Sequence, residues 1–136
     1  MIPVDQRKSD DCYAACLASI LEVPYEEVPD LSGYGVSHDP NGGWVKVIRD
    51  WLGGYGLAVI QFEHTTDTVL PGWQVMIGKS PHCGWNHAVV AYEGEMVHDP
   101  HKSRAGVLPL YENGNVAFEY FIVIDPAKYA AAMVPK

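Results

Sequence analysis

Hydrophobic positions change period near Gly56, and that change divides the chain into a helical first part and a strand-rich second part. Ala14, Leu17, Ala18 and Leu21 repeat at helical spacing, with Cys16 and Ile20 flanking the stripe. This predicts a buried helix over about residues 11–21, N-capped by Ser9 or Asp10 and stopped by Pro24, with residues 1–9 as an extended arm. PYEEVPDL reads as one short helical turn with Pro24 at its first position and Pro29 at its end. Trp44, Val47, Ile48, Trp51 and Leu52 mark one face of a second helix over 43–52, closed by Gly53 and Gly54. Between the two, SGYGVSHDPNGG is too rich in turn formers for regular structure and reads as a surface loop. After Gly56 the runs LAVIQF, WQVMIG, HAVVAY, EMVHD and AFEYFIVI read as strands separated by Gly, Pro, Asn and Asp, and residues 126–133 add a terminal helical turn. Helices first and strands afterwards predict an α+β fold, with the N-terminal helices packed on an antiparallel sheet.

Composition narrows the partners. At 136 residues the chain reads as a single domain, 1–136, large enough for a hydrophobic core without disulfides or metal. Seventeen acidic residues against nine basic ones give a net charge of −8, which disfavours nucleic acid and anionic lipid as partners. No apolar run reaches the roughly 18 residues needed to cross a bilayer, and MIPVDQRK lacks the order of a secretion signal, so a cytoplasmic location is expected. Three cysteines suit a reducing compartment where thiols are buried, reactive or metal-bound.

The candidate chemistry begins at Cys12, the first residues of the first helix. A cysteine there meets unpaired backbone N–H groups and the positive end of the helix dipole, which favour a thiolate with a pKa below the free value of about 8.5. Gln6, six residues upstream, is near enough to return an amide N–H as an oxyanion donor. The segment CGWNHAVVAYEGEMVHDPH supplies the rest. If Tyr92, Glu93 and Gly94 form a three-residue loop, Ala91 pairs with Glu95, His87 falls opposite Asp99, and imidazole and carboxylate share one face. A two-residue turn at Glu93 and Gly94 would send Asp99 to the other face. With the longer loop, Asp99 fixes the tautomer of His87, whose other nitrogen takes the proton of Cys12.

Gln6, Cys12 opening a helix, NHAVVAY at 86–92 and Asp99-Pro100 together resemble the papain-like cysteine peptidases. Within them the chain is most similar to the peptidases that remove double-glycine leaders from bacteriocins, and to their stand-alone relatives. The resemblance implies a helix-plus-antiparallel-sheet fold, no cofactor, and a peptide or protein substrate. It gives Cys12 the role of nucleophile, His87 general base, Asp99 orienting acid and Gln6 oxyanion donor. Tyr13 stands where that family has glycine, which puts a large side chain beside the cleft.

Other readings use the same residues. Acyl transfer or deamidation would run through the same acyl-enzyme, and a non-catalytic peptide-binding module would keep the fold with Tyr13 filling the cleft. Cys12 and Cys16 with Cys83 and His87 would make a three-thiolate, one-imidazole zinc set. Cys16, a turn inside the helix, reads as a small buried hydrophobe, and Cys83 as a loop thiol near the cleft. His98 and His101 read as solvated. Tyr13, Trp44, Trp85 and Tyr34 are aromatic residues suited to line a peptide groove or to pack beside it.

Overall fold

A computed structural model describes residues 1–31, 42–63 and 70–133 of the chain. Three helices and a five-stranded antiparallel sheet make up its regular structure, as the change of hydrophobic period predicts. The helices are α1 (Cys12–Leu21), α2 (Gly43–Gly54) and α3 (Pro126–Met133). The strands are β1 (Leu57–Glu63), β2 (Trp73–Lys79), β3 (Asn86–Tyr92), β4 (Glu95–His98) and β5 (Ala117–Val123), in the spatial order β1-β5-β2-β3-β4. Among the described residues no helix is long and apolar enough to cross a membrane. The chain forms two compact units, Met1–Asp30 with Gln61–Tyr120, and Leu31–Ile60 with Phe121–Lys136.

In the first unit α1 packs on β2 and β3. Its burial extends beyond the predicted stripe: Ala14 through Ser19 and Leu21 are all buried, so small residues cover most of the helix circumference. Ser19, polar and fully buried, is satisfied at both lone pair and proton, donating to the Ala15 carbonyl at 2.8 Å and accepting from the Val4 amide at 2.9 Å. The latter bond lays the N-terminal arm along the helix. Glu22, in the left-handed region at φ 56°, ends α1 before Pro24 is reached. A three-residue 3-10 turn, Tyr25–Glu27, follows between the two prolines.

The predicted cap differs. Asp11, not Ser9 or Asp10, occupies the N-cap, and its carboxylate makes no bond into the helix. It turns back instead and accepts the amides of Arg7 at 2.9 Å and Lys8 at 3.0 Å, together with the Tyr25 hydroxyl. The carboxylate thus folds the segment ahead of the helix into a tight loop.

Strand β3 is buried from His87 to Ala91, as expected of a strand covered on both faces, and Met76, Val89, Ala91, Phe118 and Tyr120 form a core cluster. Gln74, fully buried on β2, donates to the Leu70 carbonyl at 2.7 Å and accepts the Gly94 amide at 3.0 Å. In the second unit, α2 buries Ile48 and Leu52 and runs two residues past its predicted end, through Gly54. Gly56, at φ 72°, accepts the amides of Ile124 and Asp125, and a Cβ there would lie 2.3 Å from the Asp125 carbonyl oxygen. Asp125 caps α3 through the Lys128 amide at 3.1 Å.

Candidate active site

The hairpin carrying His87 and Asp99 departs from the register expected of a three-residue loop. Glu93 (φ 51°) and Gly94 (φ 87°) form a two-residue turn, so Tyr92 pairs with Glu95 and Ala91 with Met96. The turn is held from outside, by Glu93 donating to the Gly72 carbonyl at 3.0 Å and by the Gly94–Gln74 bond. Continued unchanged, that register would place His87 opposite Pro100 and Asp99 on the other face. A β-bulge intervenes: Val90 pairs with His98, leaving Val97 as the extra residue. The bulge restores the parity that the short turn removes, so that His87 and Asp99 again share a face, offset along the ladder rather than directly opposed.

Their side chains meet. His87 Nε2 lies 2.7 Å from Asp99 Oδ1, with His87 8% and Asp99 2% exposed. The remaining capacity of the carboxylate is filled by backbone: the His101 amide donates to Oδ1 at 2.9 Å and the Gly106 amide to Oδ2 at 2.8 Å. Burial pushes the Asp99 carboxyl up, but the His87 bond and the two amides outweigh it, and the net shift is downward. An ionised Asp99 accepts from Nε2–H, which directs the neutral imidazole's basic lone pair to Nδ1.

The Asp99 loop is tied to the N-terminal arm. Gln6 donates its backbone amide to the Pro100 carbonyl at 3.0 Å, His98 Nε2 lies 3.0 Å from the Val4 carbonyl, and Arg104 bridges the Asp5 carboxylate and the Asp99 carbonyl. Gln6 is thereby held beside the His87–Asp99 pair. Its Nε2 donates one N–H to the Lys8 carbonyl at 2.8 Å, and among the described residues its buried Oε1 has no hydrogen-bond partner.

Cys12 opens α1 as predicted, on a helix packed against β3, and the Ala88 amide, one residue past His87, is near enough to favour its thiolate. The amides of Tyr13 and Cys12 itself add to this. The predicted lowering of its pKa is not found. Burial pushes the thiol above its ordinary value and Asp11 adds to the rise, so the three amides offset part of the shift without reversing it. Cys16 is fully buried, with burial the main reason its thiol lies well above the ordinary range, and Cys12, Asp99 and Glu119 contribute by charge.

Tyr13 is half-buried in the first turn of α1. Its hydroxyl donates to Glu119 Oε1 at 2.7 Å, and Glu119, on β5, is 4% exposed. Trp85 is 78% exposed in the loop before β3, the most exposed large hydrophobic among the described residues. Trp44 lies half-buried in α2, in the other unit, and Tyr34 lies outside the described residues. The zinc set does not assemble, with Cys16 enclosed and Cys83 exposed, and no group of three or more metal-ligating side chains is placed to hold an ion among the described residues. The histidines are not simply solvated: His98 is tied to the arm, while the His101 ring stacks on His82 at 4.8 Å and meets the His87 ring edge-on at 6.2 Å.

Sequence reasoning missed three contributors: Asp11, which shapes the Gln6 loop, and the amides of His101 and Gly106, which hold Asp99. Only Gly106 left a trace, as a glycine at φ 79° beyond the aspartate. Comparison with protein families, curated proteins and solved structures finds no match to this chain.

Proposed function

We propose that the chain is a papain-like cysteine hydrolase acting on an amide bond, most simply that of a peptide or protein. The observation that carries this reading is the buried His87–Asp99 bond of 2.7 Å on a strand against which the Cys12 helix packs. A core histidine needs a partner, but it does not need one already holding two backbone N–H groups, and it does not need a helix-opening cysteine at the same strand end.

Burial favours the thiol form of Cys12, and attack is coupled to proton transfer. As Sγ bonds the carbonyl carbon, its proton passes to His87 Nδ1, and Asp99 stabilises the imidazolium that forms. The tetrahedral oxyanion takes the Cys12 backbone N–H and the second Nε2–H of Gln6. Collapse expels the amine with the imidazolium proton, and water then cleaves the thioester by the same base.

A p-nitrophenyl ester tests the reading without knowledge of the natural substrate. The expected result is a nitrophenolate burst matching the protein concentration and an acyl mass adduct on Cys12. Both vanish in Cys12→Ala, and acylation slows about 10²-fold or more in His87→Ala. A burst that survives Cys12→Ala, or acylation unchanged by His87→Ala, refutes it. Adding an amine acceptor separates hydrolysis from transfer.

A further inference from the structure

The Tyr13–Glu119 pair is polar, joins a half-buried tyrosine to a buried glutamate, and is unused by the proposed mechanism. Glu119 lies on β5 opposite Val75, among Ala117, Phe118 and Tyr120, all buried. Burial there pushes its carboxyl above the ordinary glutamate value, and the Tyr13 bond opposes the rise. A leucine at this position would fill the same core without desolvating a carboxylate. Both oxygens of Glu119 face the Tyr13 hydroxyl, at 2.7 and 3.3 Å.

At the other end of this contact is the residue after the nucleophile. α1 packs on β2 and β3, and β3 carries His87, so the placement of this first helical turn sets how Cys12 faces the base. That turn has no side-chain cap, because the Asp11 carboxylate is engaged with Arg7 and Lys8. The phenol is a long lever reaching from the turn to the sheet, and its carboxylate acceptor fixes it in direction as well as distance.

We infer that Tyr13 and Glu119 are positioning residues for the nucleophile: the phenol–carboxylate bond ties the first turn of α1 to β5 and holds Cys12 in place against the strand that carries His87. This rests on the hydrolase reading and assigns to the tyrosine a use other than contact with substrate. The hydroxyl of the large residue beside the nucleophile reaches the buried Glu119 and so anchors the turn.

The test is the pH profile of Cys12 alkylation by iodoacetamide, in a Cys83→Ser background, with mass assignment of the adduct and folding checked by far-UV circular dichroism. Tyr13→Phe removes one oxygen, and Glu119→Leu removes the acceptor. Each is expected to raise the alkylation midpoint and to slow the reaction at pH 7 by about three- to tenfold, as a weakened hydrogen bond to an anion would. Glu119→Gln keeps an acceptor for the phenol and is expected to stay within about twofold of the parent. Should Tyr13→Phe fail to fold, Glu119→Leu carries the comparison, and loss of fold in both makes the pair structural and overturns the inference. An unchanged midpoint in the folded variants overturns it too, leaving the hydrolase reading intact provided His87→Ala still slows the parent. If His87→Ala has no effect, the hydrolase reading fails and the positioning role fails with it.

Discussion

Replacing Asp99 by Asn changes one atom and brings an amide into a site built for an acceptor. Oδ1 takes His87 Nε2–H at 2.7 Å and the His101 amide at 2.9 Å, while Oδ2 takes the Gly106 amide at 2.8 Å. An asparagine has two orientations and neither fits. With its oxygen toward His87 and His101, its NH2 group faces the Gly106 N–H, donor against donor. With the amide turned, the NH2 group faces the His101 N–H and forces His87 to accept at Nε2, which puts the imidazole proton on Nδ1, the nitrogen that must take the proton of Cys12. Either way at least one charge-assisted bond is lost and a buried N–H is left unpaired, a cost of about 2–4 kcal/mol. That is survivable for a domain of ordinary stability, about 5–15 kcal/mol, so folded protein should be recoverable. Acylation should fall by about 10² to 10⁴, the upper figure being what the wrong histidine tautomer costs a Ser-His-Asp triad. Urea denaturation measures the first quantity and p-nitrophenyl ester acylation the second. Stability within about 0.5 kcal/mol of the parent, with acylation within about threefold, would refute the assignment of Asp99 as both anchor and orienter.

The same carboxylate predicts an acid limit. Its folded pKa lies below the unfolded value of about 3.9, so its contribution to stability is fully present above that pH and is lost as pH falls through the folded pKa. Acid unfolding of Asp99→Asn should therefore show a smaller proton uptake than the parent below about pH 4, and an identical uptake would count against the ionised state. Gly106→Ala places a Cβ at φ 79° and 3.2 Å from Met96 Sδ, and should cost about 1–2 kcal/mol while loosening the amide on Asp99, with slower acylation as the readout. Deleting Val97, half exposed and the extra residue of the bulge, should abolish acylation, whereas Val97→Ala leaves it unchanged. Inserting one glycine after Gly94 into the Val97 deletion should restore the parity and part of the rate, and failure of the insertion to recover any activity would contradict the register argument.

The helices and strands were legible because each has a period and a boundary residue of its own. α1 shows its stripe at Ala14, Leu17, Ala18 and Leu21, α2 shows five apolar positions on one face, and all five strands fall on the runs after Gly56. What failed lies where long-range contacts override local preference. Asp11 suits a cap by composition, yet its carboxylate is taken by Arg7, Lys8 and Tyr25. The thiol of Cys12 was expected to be acidified by its helix end, a local effect, but burial under the sheet outweighs it. For Tyr13 the residues around it leave groove lining and packing both open, because nothing near it in sequence reveals Glu119, more than a hundred residues away.

The hairpin is the sharpest case. From residues 86–99 alone, the pairing of His87 with Asp99 could be stated only as a condition on the turn, and the turn that forms is the one the condition excluded. Local preference did favour it: Glu-Gly suits a two-residue turn with both residues at positive φ, and Gln74 and Gly72 reinforce it from β2. The rescue comes from Val97, a residue no different in type from its neighbours Met96 and Val90. A bulge has no compositional signature when its extra residue is exposed on an edge strand, as Val97 is. What selects it is the far end of the hairpin, where Asp99 finds three buried donors on one side of the sheet and would find none guaranteed on the other. The energy of placing that carboxylate, several kcal/mol, exceeds the cost of interrupting an exposed ladder by one residue. The bulge thus follows from the aspartate, and the register of the strand is set by its charged end rather than by its turn.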